Sequence, residues 1–276
     1  MTSDDVVSKN TLSYDHDGST FTPVLRKKKR RPGKQTHQRT PIELYEVSKQ
    51  ELTSDSVWIN TCTETIRNVL SNLPSEITSI LCLGLGSPTE SAQARFQLCF
   101  LLEVKESIFK NNVDICAFDP VFTFQDKNLL ESLGIQILTE NQHGKHALSK
   151  STLAYMPHCD RELYENFLFA NWTEEQLLNL VLIGNDLRHY EETIPRHTLY
   201  AENPCISHLT PLLSTAVLPA HRAFPNAFST TAVQYINRTS SLAGRRLLNG
   251  ATHLHTVTKK AKMALVPTTI ENGVMK

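Results

Sequence analysis

The sequence predicts a doubly wound α/β fold, in which a parallel sheet carries helices on both faces. Apolar segments of strand length alternate along the chain with segments whose apolar residues recur at helical spacing. Most of the strand-like segments are nearly continuous apolar runs, which is typical of parallel strands that are covered on both faces. Strands and helices of these lengths that alternate form successive right-handed crossover units. We therefore expect a strand order of 3-2-1-4-5 with the first strand central.

The predicted elements follow one another from residue 41 onward. Two helices are predicted first, over "PIELYEVSKQEL" and "SVWINTCTETIRNVLSNL". Five strands are then predicted in the segments "SILCLGL", "VDICAFD", "GIQIL", "TLAYM" and "NLVLIGN". The predicted helices between them are Ser91–Phe109, Asp126–Leu133 and Arg161–Phe169. Beyond these, "PCISHLTPLLSTAVL" predicts a helix and "FPNAFSTTAVQYI" predicts a last edge strand.

The composition is that of an ordinary globular protein. Of the 276 residues 40 % are hydrophobic and 20 % are charged, and the formal net charge is zero, so there is no global attraction to nucleic acid or to a membrane surface. No apolar stretch is long enough to span a bilayer, and "MTSDDVVSKN" has no signal-peptide pattern. The six cysteines form no C-x-x-C pair, and several lie in apolar runs. We therefore expect reduced thiols in an intracellular compartment.

Both ends of the chain differ from the middle in composition. Residues 1–40 are polar and charged, and residues 238–276 are polar and basic, so we expect a disordered basic leader and a poorly ordered tail around one domain at residues 41–237. The run "RKKKRRPGK" in the leader supplies the candidate nuclear-import residues, which are Arg26, Lys27, Lys28, Lys29, Arg30 and Arg31. The same run is equally typical of a solvated charge block. We expect the protein in both cytoplasm and nucleus, with nucleic-acid contact limited to non-specific binding by this leader.

A glycine turn follows the first predicted strand, where a dinucleotide-binding protein holds a pyrophosphate. Gly84 and Gly86 match the first two positions of G-x-G-x-x-G, but Thr89 takes the third, and Asp119 lies well beyond the usual spacing of the ribose-binding acid. The turn Ser87–Glu90 instead has the pattern of a capping box, with serine at the N-cap, proline at N1 and glutamate at N3. The negative charge of such a glutamate would repel an anion bound at the same helix N-terminus. A structural turn and an anion site are both open, and the structural turn is favoured.

Polar residues follow the ends of all five predicted strands. In open α/β sheets, ligands bind beyond the carboxyl ends of the strands, near the point where the strand order reverses. We therefore expect one cleft at this edge of the sheet. The candidate ligand-binding residues are Gly84, Gly86, Asp119, Asn141, His143, His158, Cys159, Asn185 and Asp186.

Each of these residues also has a simpler structural explanation. Asp119 could accept hydrogen bonds from ribose hydroxyls, but it also suits a turn before Pro120. His158 and Cys159 could serve as base and nucleophile, although neighbouring side chains rarely point at each other. Asp160 suits a helix N-cap. A set of side chains has suitable ligand types for a metal but no recognisable spacing, so no metal site and no catalytic residue is assigned; the set is His143, His146, His158, Cys159 and Asp160.

Four blocks of the sequence occur in a recognisable order. They are "CLGLGSPTESAQARFQLCFLLEV", "AFDPVFTFQDKNLLESLGIQILTENQHGKHAL", "TLAYMPHCDRELYENFLFANW" and "VLIGNDLRHYEE". Together they resemble the sensitivity-to-red-light-reduced family of SRR-like proteins, over roughly residues 55–237. The most specific parts are the glycine turn, Asp119-Pro120, the "NQHGKH" and "MPHC" loops, and "IGND".

The resemblance implies a Rossmann-like domain in a regulatory protein. Members of the family are linked to light signalling and circadian rhythm in plants, and to haem biosynthesis and clock-gene expression in animals. No settled catalytic activity or cofactor comes with the family, and the protein partners stay unknown. The alternatives are a methyltransferase-like or nucleotide-dependent enzyme that uses the same cleft, and an interaction scaffold whose cleft is vestigial. The regulatory protein and the enzyme could each hold a small-molecule ligand in the cleft, whereas the scaffold would hold none.

Overall fold

The structure, a computed structural model, describes residues 39–110 and 112–237 of the chain. The basic run at residues 26–31 and the tail at 238–276 lie outside the described residues, so the predictions about them stay predictions. In the part that is described, no helix is long and apolar enough to cross a membrane.

A seven-stranded sheet of order β3-β2-β1-β4-β5-β7-β6 organises the domain. The strands are β1 (Ser79–Leu83), β2 (Asp114–Phe118), β3 (Ile135–Ile137), β4 (Thr152–Met156), β5 (Leu180–Asn185), β6 (Leu213–Val217) and β7 (Thr231–Ile236). Strands β1 to β5 are parallel, whereas β7 is antiparallel to both β5 and β6. The predicted order 3-2-1-4-5 and the central first strand are confirmed.

Helices cover both faces of the sheet, so the doubly wound α/β prediction is confirmed. They are α1 (Pro41–Ser54), α2 (Ser56–Leu70), α3 (Ala92–Phe109), α4 (Phe124–Ser132), α5 (Arg161–Ala170), α6 (Glu174–Leu178), α7 (Arg188–Thr193), α8 (Arg196–Glu202), α9 (Pro204–Leu209) and α10 (Pro225–Phe228). Residues of α1 to α4 and α10 pack with Ile80 and Cys82 in one apolar core. Residues of α5, α6, α8 and α9 pack with Leu81 and Leu83 in a second core. The alternation along β1 places the two cores on opposite faces.

The start of α1 shows how local sequence sets an element boundary. The Thr40 hydroxyl accepts the Glu43 N–H, the Glu43 carboxylate accepts the Thr40 N–H, and Pro41 occupies the first helical position. This is a capping box with proline where the helix has no need of its missing donor. The predicted helical region therefore begins at the expected residue.

The region after residue 203 differs from the prediction in two respects. The predicted helix over residues 204–218 ends at Leu209, passes through a 3₁₀ turn at Thr210–Leu212 and continues as β6. Pro211 has no N–H and cannot continue a helical hydrogen-bond ladder, which explains the break. The strand predicted at the sheet edge is β7, but it lies between β5 and β6, and all six of its residues are buried. Its nearly apolar sequence suits this interior position better than an edge.

Candidate ligand-binding site

The strand order reverses between β1 and β4, and in doubly wound folds ligands bind beyond the carboxyl ends of the strands at such a point. The loops after β1, β2, β4 and β5 meet there. Contacts among these loops join six of the nine residues that were predicted to share a ligand cleft. These six are Gly84, Gly86, Asp119, His158, Cys159 and Asn185.

Gly84 allows the loops after β1 and β4 to approach each other closely. Its φ of 67° lies in the left-handed region, and a Cβ at this position would lie 2.5 Å from Cys159 Sγ. The Cys159 thiol lies 3.4 Å from the Leu83 carbonyl, to which it donates a hydrogen bond. Glycine is therefore required here both by the backbone conformation and by the space that Cys159 fills.

Asp119 accepts a hydrogen bond from Gly86, the second glycine of the turn. Its Oδ2 accepts the Gly86 N–H at 2.8 Å, and its Oδ1 accepts the Val121 N–H at 2.9 Å. The side chain follows the last residue of β2 and is 9 % exposed. A carboxylate has about four lone-pair positions, so two remain for other donors. Asp119 thus has both the structural role and the unused acceptor capacity that the sequence analysis left as alternatives.

The turn Ser87–Glu90 is structural, but it differs from the predicted capping box. The helix α3 begins at Ala92, and Ser91 is its N-cap, with its hydroxyl accepting the Ala94 N–H. Ser87 Oγ does accept the Glu90 N–H, at 3.3 Å, but the Glu90 side chain is exposed. The prediction that Ser87 caps α3 is therefore wrong by four residues, because Ser87 starts a separate turn before the helix.

A carboxylate from α4 accepts hydrogen bonds from the turn that follows the two glycines. Asp126 Oδ1 accepts hydrogen bonds from the Thr89 N–H at 2.9 Å, the Thr89 hydroxyl at 2.7 Å and the Ser87 hydroxyl at 2.9 Å. Its Oδ2 accepts the N–H and the hydroxyl of Thr123, both at 2.8 Å. The side chain is fully buried. Burial alone would raise the pKa of Asp126, but the hydrogen bonds from Thr89 and Thr123 outweigh it and hold that pKa below its ordinary value.

Asn185 links the loops after β4 and β5. Its Oδ1 accepts the His158 N–H at 3.1 Å, and its Nδ2 donates to the Cys159 carbonyl at 3.0 Å and to the Tyr190 hydroxyl at 3.0 Å. His158 adopts a φ of 53°, an uncommon conformation for a residue other than glycine. Its Nε2 lies 3.1 Å from the Ala227 carbonyl, which can only accept, so the proton resides on Nε2. Hydrogen bonds therefore hold the two loops and α10 together.

The other three predicted residues make local contacts. Asn141 Oδ1 accepts the His143 N–H two residues on, which is an Asx turn, and His143 has a φ of 50°. Asp186 accepts the Arg188 guanidinium at 2.6 Å in an ion pair at the start of α7. That contact lowers the pKa of Asp186, although burial opposes it. Within the described part of the chain, no hydrogen bond or ion pair joins these three side chains to the other six.

The chemistry of the joined residues suits binding more than covalent catalysis. Burial raises the pKa of the Cys159 thiol well above its ordinary value, and the nearby Asp119 and Asp160 charges raise it further. A protonated thiol is a poor nucleophile. Asp160 is the N-cap of α5, as expected, and its Oδ1 accepts the Leu163 N–H. Among the described residues, no group of three or more metal-ligating side chains lies together.

Three buried residues that support this arrangement were missed in the sequence. Asp126 could have been found from the pattern Thr123-x-x-Asp126, which is a capping box in the structure. Gln234 of β7 binds the Asn185 carbonyl and the Leu187 N–H, and its signal was an amide inside an apolar strand. Tyr164 of α5 donates its hydroxyl to the Met156 carbonyl and accepts the Asn185 N–H. A buried tyrosine in a helix gave no signal of this role.

One titratable group near the domain's first helices should make stability depend on pH. His221 is buried against Trp58, Phe224 and Phe228, and its Nδ1 accepts the Ala223 and Phe224 N–H groups. Burial lowers the pKa of His221, with the Asp55 charge opposing this effect. The unfolded chain then binds the proton more readily, so stability is complete above the ordinary pKa of 6.5 and decreases as the pH falls below it.

We expect urea unfolding to show this loss between pH 7.5 and pH 5. His221→Asn retains an acceptor for the same N–H groups but does not titrate, so its stability should depend less on pH. The exposed His189 provides the control, and His189→Asn should keep the wild-type dependence. An undiminished pH dependence in His221→Asn would contradict the assignment.

The fold, with these loops joined at its strand ends, defines a Rossmann-like α/β protein. The model of the SRR1 domain matches residues 55–235, and the chain belongs to this family. An SRR1-like protein of Mus musculus is 35 % identical over 128 residues, which are 46 % of this chain and 51 % of that protein. The Arabidopsis thaliana protein SENSITIVITY TO RED LIGHT REDUCED 1 is 37 % identical over 111 residues, 40 % of each chain. The matched region thus spans about half or less of these relatives.

Methyltransferases are among the solved structures to which the chain is similar. An SAH-bound methyltransferase of Podospora anserina aligns with 72 % of this chain and 87 % of its own, at 11 % identity and a TM-score of 0.38. Human N-acetylserotonin methyltransferase in complex with SAM aligns with 72 % of this chain and 57 % of its own, at 12 % identity and a TM-score of 0.37. Neither likeness bears on the activity of this chain.

Proposed function

We propose that this SRR1-family domain is regulatory and binds a ribose-containing ligand that presents no phosphate to the glycine turn, with S-adenosylmethionine as the closest chemical class. The observation that carries this proposal is Asp119, whose carboxylate stands at the end of β2 with acceptor capacity to spare. Two free lone-pair positions match the two hydroxyls of a ribose.

The electrostatics of the turn favour a ligand without phosphate. The Gly86 N–H is bonded to Asp119, and the Thr89 N–H is bonded to the buried Asp126. Two backbone donors of the glycine turn therefore already serve carboxylates. A phosphate at this position would also meet two negative charges in a partly buried environment, where repulsion is stronger than in water. A nucleoside with an uncharged or cationic substituent avoids both penalties.

Apolar surface next to Asp119 suits the base of such a ligand. Val121 and Phe124 belong to the loop and helix start that follow Asp119, and they are 56 % and 78 % exposed. An exposed aromatic ring offers a face on which a base can stack, worth about 1–3 kcal/mol. The crevice therefore offers acceptors for a ribose and apolar contacts for a base.

Calorimetric titration of the full chain tests the binding. S-adenosylmethionine or S-adenosylhomocysteine should bind more tightly than ATP or NAD. Asp119→Asn removes the charge and one acceptor, so binding should weaken about 10- to 100-fold, the equivalent of one hydrogen bond to a charged group. The control is Asp114→Asn, because Asp114 is exposed at the opposite end of β2. Equal binding of ATP, or unchanged affinity in Asp119→Asn, would contradict the proposal.

A regulatory role is supported by membership of the SRR1 domain family and by the similarity to the Arabidopsis protein named for red-light sensitivity. We extend it to circadian or light signalling and to the regulation of haem biosynthesis, in the cytoplasm and the nucleus. The alternatives are a methyltransferase-like enzyme and a scaffold with a vestigial site. Turnover of bound S-adenosylmethionine with a cellular extract would favour the enzyme, and absence of binding to every nucleoside would favour the scaffold.

Nuclear import by the basic run has its own test. Lys27, Lys28, Lys29 and Arg30 are replaced by Ala in a fusion whose fluorescent tag is too large to diffuse through nuclear pores. We expect the nuclear fraction of the fluorescence to fall, because an acidic receptor groove loses its basic contacts. An unchanged nuclear fraction would reject the import role.

A further inference from the structure

The edge of the sheet at β6 offers backbone groups to which a further strand can bind. Strand β6 is the last strand of the sheet, and among the described strands it is hydrogen-bonded to β7 alone. The opposite edge is β3, which has only three residues, whereas β6 has five. A longer edge strand exposes a row of N–H and C=O groups on which another chain can pair.

The pairing of β6 with β7 shows which residues of β6 direct these groups outward. In an antiparallel ladder, alternate residues exchange both backbone hydrogen bonds with the partner strand. The Leu218 N–H donates to the Thr231 carbonyl at 2.9 Å, and the register of the two strands leads up to this pair. Ser214 and Ala216 therefore direct their backbone groups toward β7. The residues that direct theirs toward the open edge are Leu213, Thr215 and Val217.

This edge has none of the features that usually prevent strand pairing. The sequence "LSTAV" of β6 contains no charged residue, proline or glycine, and its register with β7 is continuous, without a bulge. The Leu213 N–H donates to the Thr210 carbonyl in the preceding 3₁₀ turn. Within the described part of the chain, the N–H groups of Thr215 and Val217 have no hydrogen-bond acceptor. They remain available to a second strand.

We infer that two copies of this chain pair through β6 in an antiparallel dimer with two-fold symmetry and with Thr215 on the axis. In this register Thr215 lies opposite Thr215 of the second copy, and Leu213 lies opposite Val217 of the second copy. Residues with outward-directed backbone groups therefore meet one another. The two Thr215 residues exchange both backbone hydrogen bonds, and each Val217 N–H donates to the Leu213 carbonyl of the other copy.

A second copy fits this edge because the strand is complementary to itself. A two-fold interface brings the same surface of both subunits together, so like charges at its centre would repel, and β6 carries none. The register centred on Thr215 overlaps the whole of both strands. A shift by one residue would oppose outward-directed and inward-directed backbone groups. A shift by two would place an end residue of each strand opposite Pro211 or Pro219, which have no N–H to donate.

The side chains of β6 support the same arrangement. Leu213 packs against one of the two apolar cores, and Val217 lies on the same face of the sheet but is 55 % exposed. In the dimer Leu213 of the second copy lies beside Val217 and covers part of this apolar surface. Apolar and β-branched pairs across two strands stabilise a sheet. A single pair of short strands forms a small interface, so we expect a dimer that dissociates on dilution.

Sedimentation velocity of the full chain tests the association. From about 1 to about 500 µM, the wild type should change from monomer to dimer. Val217→Lys adds a charge at the strand edge, and the dimer should dissociate at a concentration at least tenfold higher. The control is Ile42→Lys, because Ile42 is also an exposed apolar residue but lies on α1, which packs against α3 and α4. This variant should associate as the wild type does.

Amide hydrogen exchange, followed by NMR, shows whether β6 is the strand that pairs. In the monomer the Thr215 and Val217 amides should exchange rapidly, whereas those of Ser214 and Ala216, which are bonded to β7, should exchange slowly. We expect protection of Thr215 and Val217 to increase with protein concentration, in step with dimer formation. Thr215→Pro removes only an outward-directed N–H, which an edge strand tolerates, and should abolish the dimer.

Three results would overturn the inference. A wild-type chain that stays monomeric over the whole concentration range would leave the edge to a different protein. Protection of Thr215 and Val217 that does not depend on concentration would mean that another segment of the same chain covers the edge. Undiminished association of Val217→Lys and Thr215→Pro would place the dimer interface elsewhere. The exchange of the wild-type amides decides the question even where these variants fail to fold.

Discussion

Replacing Asp126 with alanine is expected to lower the free energy of unfolding by about 3–5 kcal/mol, since it leaves a buried set of donors without their acceptor. The five hydrogen bonds of this carboxylate join the turn after β1 to the start of α4. Urea unfolding measures the loss. The folded-state pKa of Asp126 lies below its ordinary value of 3.8, so its contribution is complete above that value and disappears as the pH falls below it. The difference in the free energy of unfolding between the wild type and Asp126→Ala should therefore become smaller at acidic pH.

A matched control for this prediction is Asp160→Ala. Asp160 is also an aspartate at a helix N-terminus, but it is exposed and caps α5 through the Leu163 N–H. Its loss should cost about 1 kcal/mol, as for an ordinary N-cap. If the two variants are equally destabilised, the buried network does not carry the energy that its geometry indicates.

Gly84→Ala is expected to cost about 2–5 kcal/mol. A left-handed φ costs a residue with a Cβ about 1–2 kcal/mol, and overpacking a filled space adds about 1–3 kcal/mol. The space is filled here, because the new Cβ would lie 2.5 Å from Cys159 Sγ. Gly134 separates the two contributions, since its φ is 75° but no atom lies within 4 Å of a Cβ built there. Gly134→Ala should therefore cost only the backbone part.

A double-mutant cycle with Cys159→Ala tests the origin of the larger cost. The smaller side chain should remove the clash, so Gly84→Ala should be less destabilising in that background, with an interaction energy of about 1–3 kcal/mol. Additive effects would show that the approach of the two loops does not depend on Gly84, and the steric argument would be wrong.

The sequence predicted the parallel core of the sheet well, because buried parallel strands leave continuous apolar runs that can be recognised locally. The sequence-based prediction failed where the secondary structure of a segment, or its place in the sheet, depends on pairing with distant residues. The helix predicted over residues 204–218 was wrong beyond Leu209, and the edge position of β7 was wrong, since β6 forms as a strand only by pairing with β7, from Leu213 opposite Ile236 onward. No local pattern encodes that partner, and strand propensity depends on context.

The candidate site shows the same division. The positions of Gly84, Gly86 and Asp119 could be predicted, because strand ends in an α/β sheet are read from local sequence. The contact of Asp126 with this turn could not be predicted, because Asp126 lies 37 residues from Thr89 and looks locally like an ordinary helix cap. The proposed ligand class depends on that long-range contact, and for this reason the sequence left the anion site open.

The insertion of β7 between β5 and β6 has a consequence for synthesis and folding. Strand β6 leaves the ribosome before β7, yet among the described strands it is hydrogen-bonded to β7 alone. Until Thr231–Ile236 arrives, the edge of β5 is unpaired, and a nascent or truncated chain exposes an apolar strand edge of the kind that promotes aggregation. During synthesis the sheet therefore cannot be completed until Ile236 has emerged, and a break in the chain before residue 231 would expose the same edge.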